Sequence, residues 1–102
     1  MPLTVELWSS YPDRSVEELL PSGGFLNRVL PPPETEGYPV LSAIDSYGST
    51  AVNYLQMDQF LREWDSLDLT GLTPEEASDA AHLRRMAIRC KNERLLLWFE
   101  GD

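Results

Sequence analysis

Five consecutive apolar residues, Leu95-Leu96-Leu97-Trp98-Phe99, constrain this chain more than any other feature. The run is far too short to cross a bilayer, which takes about 20 residues as a helix. It reads as a β-strand with both faces at least partly covered, and so as an interior member of a sheet. The rest of the chain must supply the neighbouring strands and the helices that cover them. Leu3, Val5 and Leu7 alternate with Thr4, Glu6 and Trp8, a period of two that predicts a strand over about 3–8. Ser46-Tyr47-Gly48-Ser49 is a turn, and Thr50 to Asn53 predicts a further strand. Residues 40–44 suit a strand or a short helix equally.

Helical signals occupy the second half. Met57, Phe60, Leu61, Trp64 and Leu67 share one helix face, opposite Asp58, Gln59, Arg62, Glu63 and Asp65, which predicts a helix over about 57–67 with an Asp58–Arg62 pair on its surface. Thr73-Pro74-Glu75-Glu76 is a capping box with proline at the first helical position. It starts a helix over about 74–91, with Ala77, Ala80, Leu83, Ala87 and Cys90 inward. In the first half, Ser15 with Glu18 three residues on predicts a short helix through Leu20, and Phe25–Leu30 a second one. Pro31-Pro32-Pro33-Glu34-Thr35-Glu36-Gly37 excludes helix and central strand; residues 31–37 read as a stiff, polyproline-like surface loop, a connector more readily than a binding arm. The expected fold is therefore α+β in a single domain, 1–102: a small sheet of about three to four strands, including those at 3–8 and 95–99, packed by helices 57–67 and 74–91.

Charge narrows the function classes. There are 17 acids and 8 bases, a net charge of −9. Residues 1–83 hold 14 acids and three bases; residues 84–102 hold five bases and three acids, and a helix C-terminus accounts for much of that basic cluster. A surface this acidic repels nucleic acid and anionic membranes and favours a basic partner, although acidity also simply keeps proteins soluble. The first residues carry no basic stretch followed by an apolar run, so the expected location is cytoplasmic.

Catalytic chemistry finds little support in the residues. One histidine, His82, and one cysteine, Cys90, rule out the His/Cys spacings of zinc sites and any intrachain disulfide. Eight residues apart on one helix, they lie about 12 Å apart along its axis, beyond the reach of a nucleophile–base pair. No phosphate-cradling glycine loop and no nucleophile elbow occurs. No cofactor is implied. Surface recognition remains, with Tyr11, Tyr38 and Tyr47 in predicted turns as the aromatic side chains most open to a partner.

The segment Ile44-Asp45-Ser46-Tyr47-Gly48-Ser49-Thr50-Ala51-Val52-Asn53-Tyr54-Leu55-Gln56 resembles a D-x-Y-G-D-T-x-x-N-x-L-Q pattern of small bacterial acidic proteins, and the ending Leu95 to Asp102 resembles their L-x-F-x-G-D terminus. Ser49 stands where that pattern has an acid. The pattern carries no activity with it. In general type the chain is similar to bacterial toxin-immunity proteins, small acidic α+β domains that block a basic toxin. The expectation is a non-enzymatic inhibitor that binds a basic protein partner, by that likeness a toxin, through Asp45, Tyr47, Asp58, Glu63 and Asp65. The alternative is a small-molecule or effector-binding domain with Asp45, Tyr47, Thr50 and Asn53 lining a pocket.

Overall fold

A computed structural model describes residues 3–10, 13–21 and 24–101. Four strands form one antiparallel sheet: β1 (Thr4–Ser10), β2 (Asp13–Leu19), β3 (Ser49–Asn53) and β4 (Leu96–Glu100), in the order β2-β1-β4-β3. The apolar strand β4 is interior, as its composition requires, pairing Val5 with Phe99 and Leu7 with Leu97 on one side and Val52 with Leu97 on the other. Three helices, α1 (Phe25–Val29), α2 (Met57–Asp65) and α3 (Pro74–Glu93), complete the α+β fold.

Alternation sorts each strand into two faces. Leu3, Val5, Leu7, Leu19, Val52, Leu97 and Phe99 are buried in the core with Phe60, Leu83, Met86, Ala87 and Cys90 from the helices. Leu96, Trp98 and Trp8 fall on the other face, where they are only half-buried. Phe60 is central: its ring stacks on Trp64 at 6.1 Å and tilts against Phe99 at the same separation. Thr73 caps α3 as its sequence predicts, its hydroxyl accepting from the Glu76 amide while the Glu76 carboxylate accepts from the Thr73 amide. Ala77, expected inward, is exposed; the buried stripe of α3 runs instead through Glu76, Ala80, Leu83, Met86, Ala87 and Cys90.

The helix expected from Ser15 to Leu20 does not form. Residues 15–19 belong to β2, paired in register Val5 to Leu19 and Leu7 to Glu17, with a bulge before Trp8 pairs with Ser15. Six residues cannot offset the cost of nucleating a helix alone, whereas pairing with β1 satisfies the backbone and buries Leu19. The pairing also brings Glu17 under α3, where its carboxylate meets His82 Nε2 at 2.6 Å and Arg89 Nη1 at 3.1 Å. Burial pushes the Glu17 pKa up, but the hydrogen bonds and charges of His82 and Arg89 together pull it below the ordinary 4.5. A carboxylate held down in the fold stabilises it above the unfolded-state pKa, and that contribution is lost as pH falls through the folded value. The stability gap between the native chain and Glu17→Gln should therefore be full at neutral pH and close as pH drops below 4.5, read by urea denaturation across that range. A gap independent of pH would show that the cluster does not clamp β2 to α3.

Candidate protein-binding groove

The candidate site is built on the connection between α1 and β3. Residues 41–43 form one 3-10 turn, resolving the ambiguity at 40–44 in favour of helical backbone. Glu63 holds it in place. This carboxylate, 2% exposed, accepts from the Val40 amide at 3.1 Å, the Leu41 amide at 2.8 Å and Gln59 Nε2 at 2.7 Å. Before the turn, residues 31–37 do not run as an extended polyproline arm. Two reverse turns fold them, closed by the Thr35 amide on the Pro32 carbonyl and the Tyr38 amide on the Thr35 carbonyl, with Glu34 at φ 63° and Gly37 at φ 87°. Tyr38 ends the loop half-buried, its hydroxyl accepting from Ser66 Oγ at 2.9 Å.

After Ile44 the chain turns sharply into β3. Asp45 Oδ1 accepts from the Tyr47 amide at 2.8 Å, Thr50 Oγ1 accepts from the Asp45 amide at 2.9 Å, and the Gly101 amide donates to the Gly48 carbonyl at 2.7 Å. A Cβ on Gly48 would meet Asp45 Oδ2 at 2.7 Å, and one on Gly101 would sit 2.2 Å from the Ser46 carbonyl oxygen. Gly101 therefore needs glycine for close approach to backbone, whereas at Gly48 the Asp45 carboxylate would have to move. Asn53 and Gln56 form a capping box around the 3-10 turn 54–56. Asp45, Gly48, Thr50, Asn53, Gln56 and Gly101 thus each hold local backbone in place. Tyr47 is the exception. It projects from this braced turn with 84% of its surface exposed.

Between the folded proline loop and the 42–47 turn lies an open groove of about 950 Å³. Glu34, Glu36 and Asp45 contribute carboxylates to its lining, Pro31, Pro32, Pro33 and Pro39 give it rigid apolar walls, and Tyr47 stands on it. Among the described residues no base lines it: residues 29–61 contain no lysine, arginine or histidine, and the neighbouring Arg28 pairs with Glu76 at 2.8 Å. The proline loop, read from sequence as a connector, is one of its walls, and that base-free stretch was the signal that marked it.

The five residues expected to form a partner surface do not come together as one patch. Asp45 and Tyr47 share the groove. Glu63 is buried rather than on the polar face of α2, because the 38–44 segment packs over that flank. Asp58 and Asp65 are exposed but bound to α3: Asp58 meets Lys91 Nζ at 2.6 Å, and Asp65 makes a two-point pair with Arg84 at 2.8 Å. The Lys91 hydrogen bond lowers the Asp58 pKa and the Arg84 hydrogen bond that of Asp65. The expected Asp58–Arg62 pair is replaced, with Arg62 Nη2 donating to Gln59 at 2.7 Å. Of the four residues of the alternative pocket, Thr50 and Asn53 are spent on the turn and the cap and do not line the groove. Tyr38 is tied to Ser66, and Tyr11 lies outside the described residues.

The groups with catalytic potential lie elsewhere. Cys90 is buried, and burial pushes its thiol up to about 12, keeping it protonated at neutral pH. His82 faces Glu17. Among the described residues no three His, Cys, Asp or Glu side chains gather as a metal site, and no helix is long and apolar enough to cross a membrane. The chain matches no family model, no curated protein and no solved structure.

Proposed function

We propose that this chain is a non-enzymatic, cytoplasmic protein-binding domain of the immunity type, which docks on a basic surface of a toxin and neutralises it. The observation that carries the reading is the groove: three carboxylates, no base, and an exposed tyrosine on a turn braced from both sides. An exposed aromatic held on rigid backbone loses little entropy on binding and supplies the large contact area typical of interface hot spots. Among the described residues none of the three carboxylates is paired with a base, so they keep their attraction for an incoming cation. In a chain of net charge −9 they add to a field that speeds encounter with a basic protein. Asp58 and Asp65, neutralised by α3, contribute mainly to that long-range field.

Co-expression tests the role. The chain should restore growth to cells producing the toxin encoded beside it, and the purified pair should form a complex that weakens as salt rises. Tyr47→Ala should weaken that complex roughly 30-fold, about 2 kcal/mol, without altering the melting temperature, measured by calorimetric titration. A neighbouring product that is not toxic, or a complex indifferent to both salt and Tyr47, would overturn the reading.

A further inference from the structure

The strand that follows Tyr47 is an open sheet edge. β3 pairs with β4 on one side and closes the sheet on the other. The Gly101–Gly48 hydrogen bond sets the phase of the ladder: Gly48, Thr50 and Val52 turn their amides and carbonyls toward β4, while Ser49, Ala51 and Asn53 turn theirs outward. Gln56 Oε1 takes up the Asn53 amide at 3.0 Å. Ser49 and Ala51, both exposed, are left with two amides and two carbonyls facing solvent. Natural sheets protect such edges with bulges, prolines or lysines. The opposite edge, β2, has a bulge and is clamped to α3 by Glu17. β3 has no bulge in its pairing with β4, no proline and no lysine. Tyr47 at 84% and Leu55 at 76% exposure stand at its two ends, two of the three large apolar side chains most open to solvent among the described residues.

We propose that a basic, extended segment of the partner adds to β3 as a fifth strand, its backbone bonding to Ser49 and Ala51 and its side chains anchored by Tyr47 and Leu55. This rests on the basic-partner reading and specifies how the contact is made. Strand addition supplies affinity from main-chain hydrogen bonds and selectivity from alternate side chains. The chemistry of the outer face favours a cation. Ala51 sits beside Trp98 in register, and Trp98 Nε1 donates to Glu100 at 3.2 Å. A lysine or arginine opposite the short Ala51 side chain reaches over it to the indole face and the Glu100 carboxylate, pairing a cation with both an aromatic ring and an acid. A second copy of the chain would bring another −9 to the same edge.

The probe is an acetylated, amidated seven-residue peptide alternating lysine and valine. On binding the native chain at low salt, it should slow hydrogen exchange of the Ser49 and Ala51 amides about tenfold or more, read by NMR. Ala51→Pro removes an outward N–H at an edge position where proline is tolerated, and Ala51→Lys places a like charge beside the incoming strand. Each should weaken peptide binding at least tenfold while leaving the melting temperature close to native. The exchange measurement needs no variant, so a misfolded Ala51→Pro chain leaves the test intact. A peptide that binds in a salt-dependent way with unprotected Ser49 and Ala51 amides and no loss in Ala51→Lys overturns strand addition and leaves the basic partner standing. Absence of binding by any chain at low salt overturns both. Self-association through Ala51 with no peptide binding assigns the edge to a second copy and overturns this proposal.

Discussion

Glu63→Ala should destabilise the chain by about 3 kcal/mol, because it strands two backbone amides, Val40 and Leu41, beneath the surface with no acceptor. Glu63 is 2% exposed and its bond to the Leu41 amide is buried, so the desolvation cost falls chiefly on that amide, with a smaller share from half-buried Val40. Glu63→Gln keeps one oxygen for the Leu41 amide but turns an NH₂ group toward its neighbours, and about half the loss should return. Urea denaturation with an unchanged slope is the measurement. A loss below about 0.5 kcal/mol for Glu63→Ala would mean that the 38–44 segment is not held by this carboxylate. The functional consequence is separable: that segment forms a wall of the groove, so Glu63→Ala should also weaken partner binding although Glu63 itself touches nothing outside the protein.

Phe60→Ala should cost about 4 kcal/mol, in the range for a fully buried phenylalanine whose site cannot collapse. Its ring joins α2 to the sheet through Phe99 and is stacked on Trp64, so its removal leaves a void between layers rather than at a flexible margin. For a domain near 100 residues this corresponds to a fall in melting temperature of roughly 20 °C. Phe60→Leu, which fills most of the space, should cost roughly 1 to 2 kcal/mol. If the two variants melt within a few degrees of each other, the void is being filled by repacking and the core is looser than its contacts indicate.

These two residues lie three apart on one helix, yet they differ in how readable they were. Phe60 belongs to a repeating apolar stripe, and the 3.6-residue period alone predicts that it is buried. Glu63 sits roughly 60° further round the same helix, a position that sequence assigns to solvent. It is buried because a segment twenty residues upstream brings two unsatisfied amides to it, a demand no local pattern records. The misread at Ser15 has the same origin. Ser15 and Glu18 carry a valid local signal for a helix start, but β1 offers six residues of pairing, and that outweighs a capping box over so short a span.

The candidate site divides along the same line. Asp45 and Tyr47 were identified from a turn whose chemistry is local, and they do share the groove. Asp58 and Asp65 were identified from the polar face of α2, but ion pairs with Lys91 and Arg84, residues distant in sequence, decide their state. Glu34 and Glu36 entered only when the proline loop folded back on itself beside the turn.

The sequence by itself determined the α+β class, the interior place of β4, the two long helices with the Thr73 cap, and the excess of acid in the first 83 residues. All follow from periodicity, capping and charge, which act over a few residues or need only counting. The tertiary structure alone decided that Glu63 is a buried acceptor, that residues 13–19 are a strand, that two of the expected surface acids are neutralised, and that β3 is the unprotected edge next to an acidic groove. Each of these depends on which distant backbone groups meet, and a hydrogen bond or a sheet edge is defined by its partner as much as by its own residue.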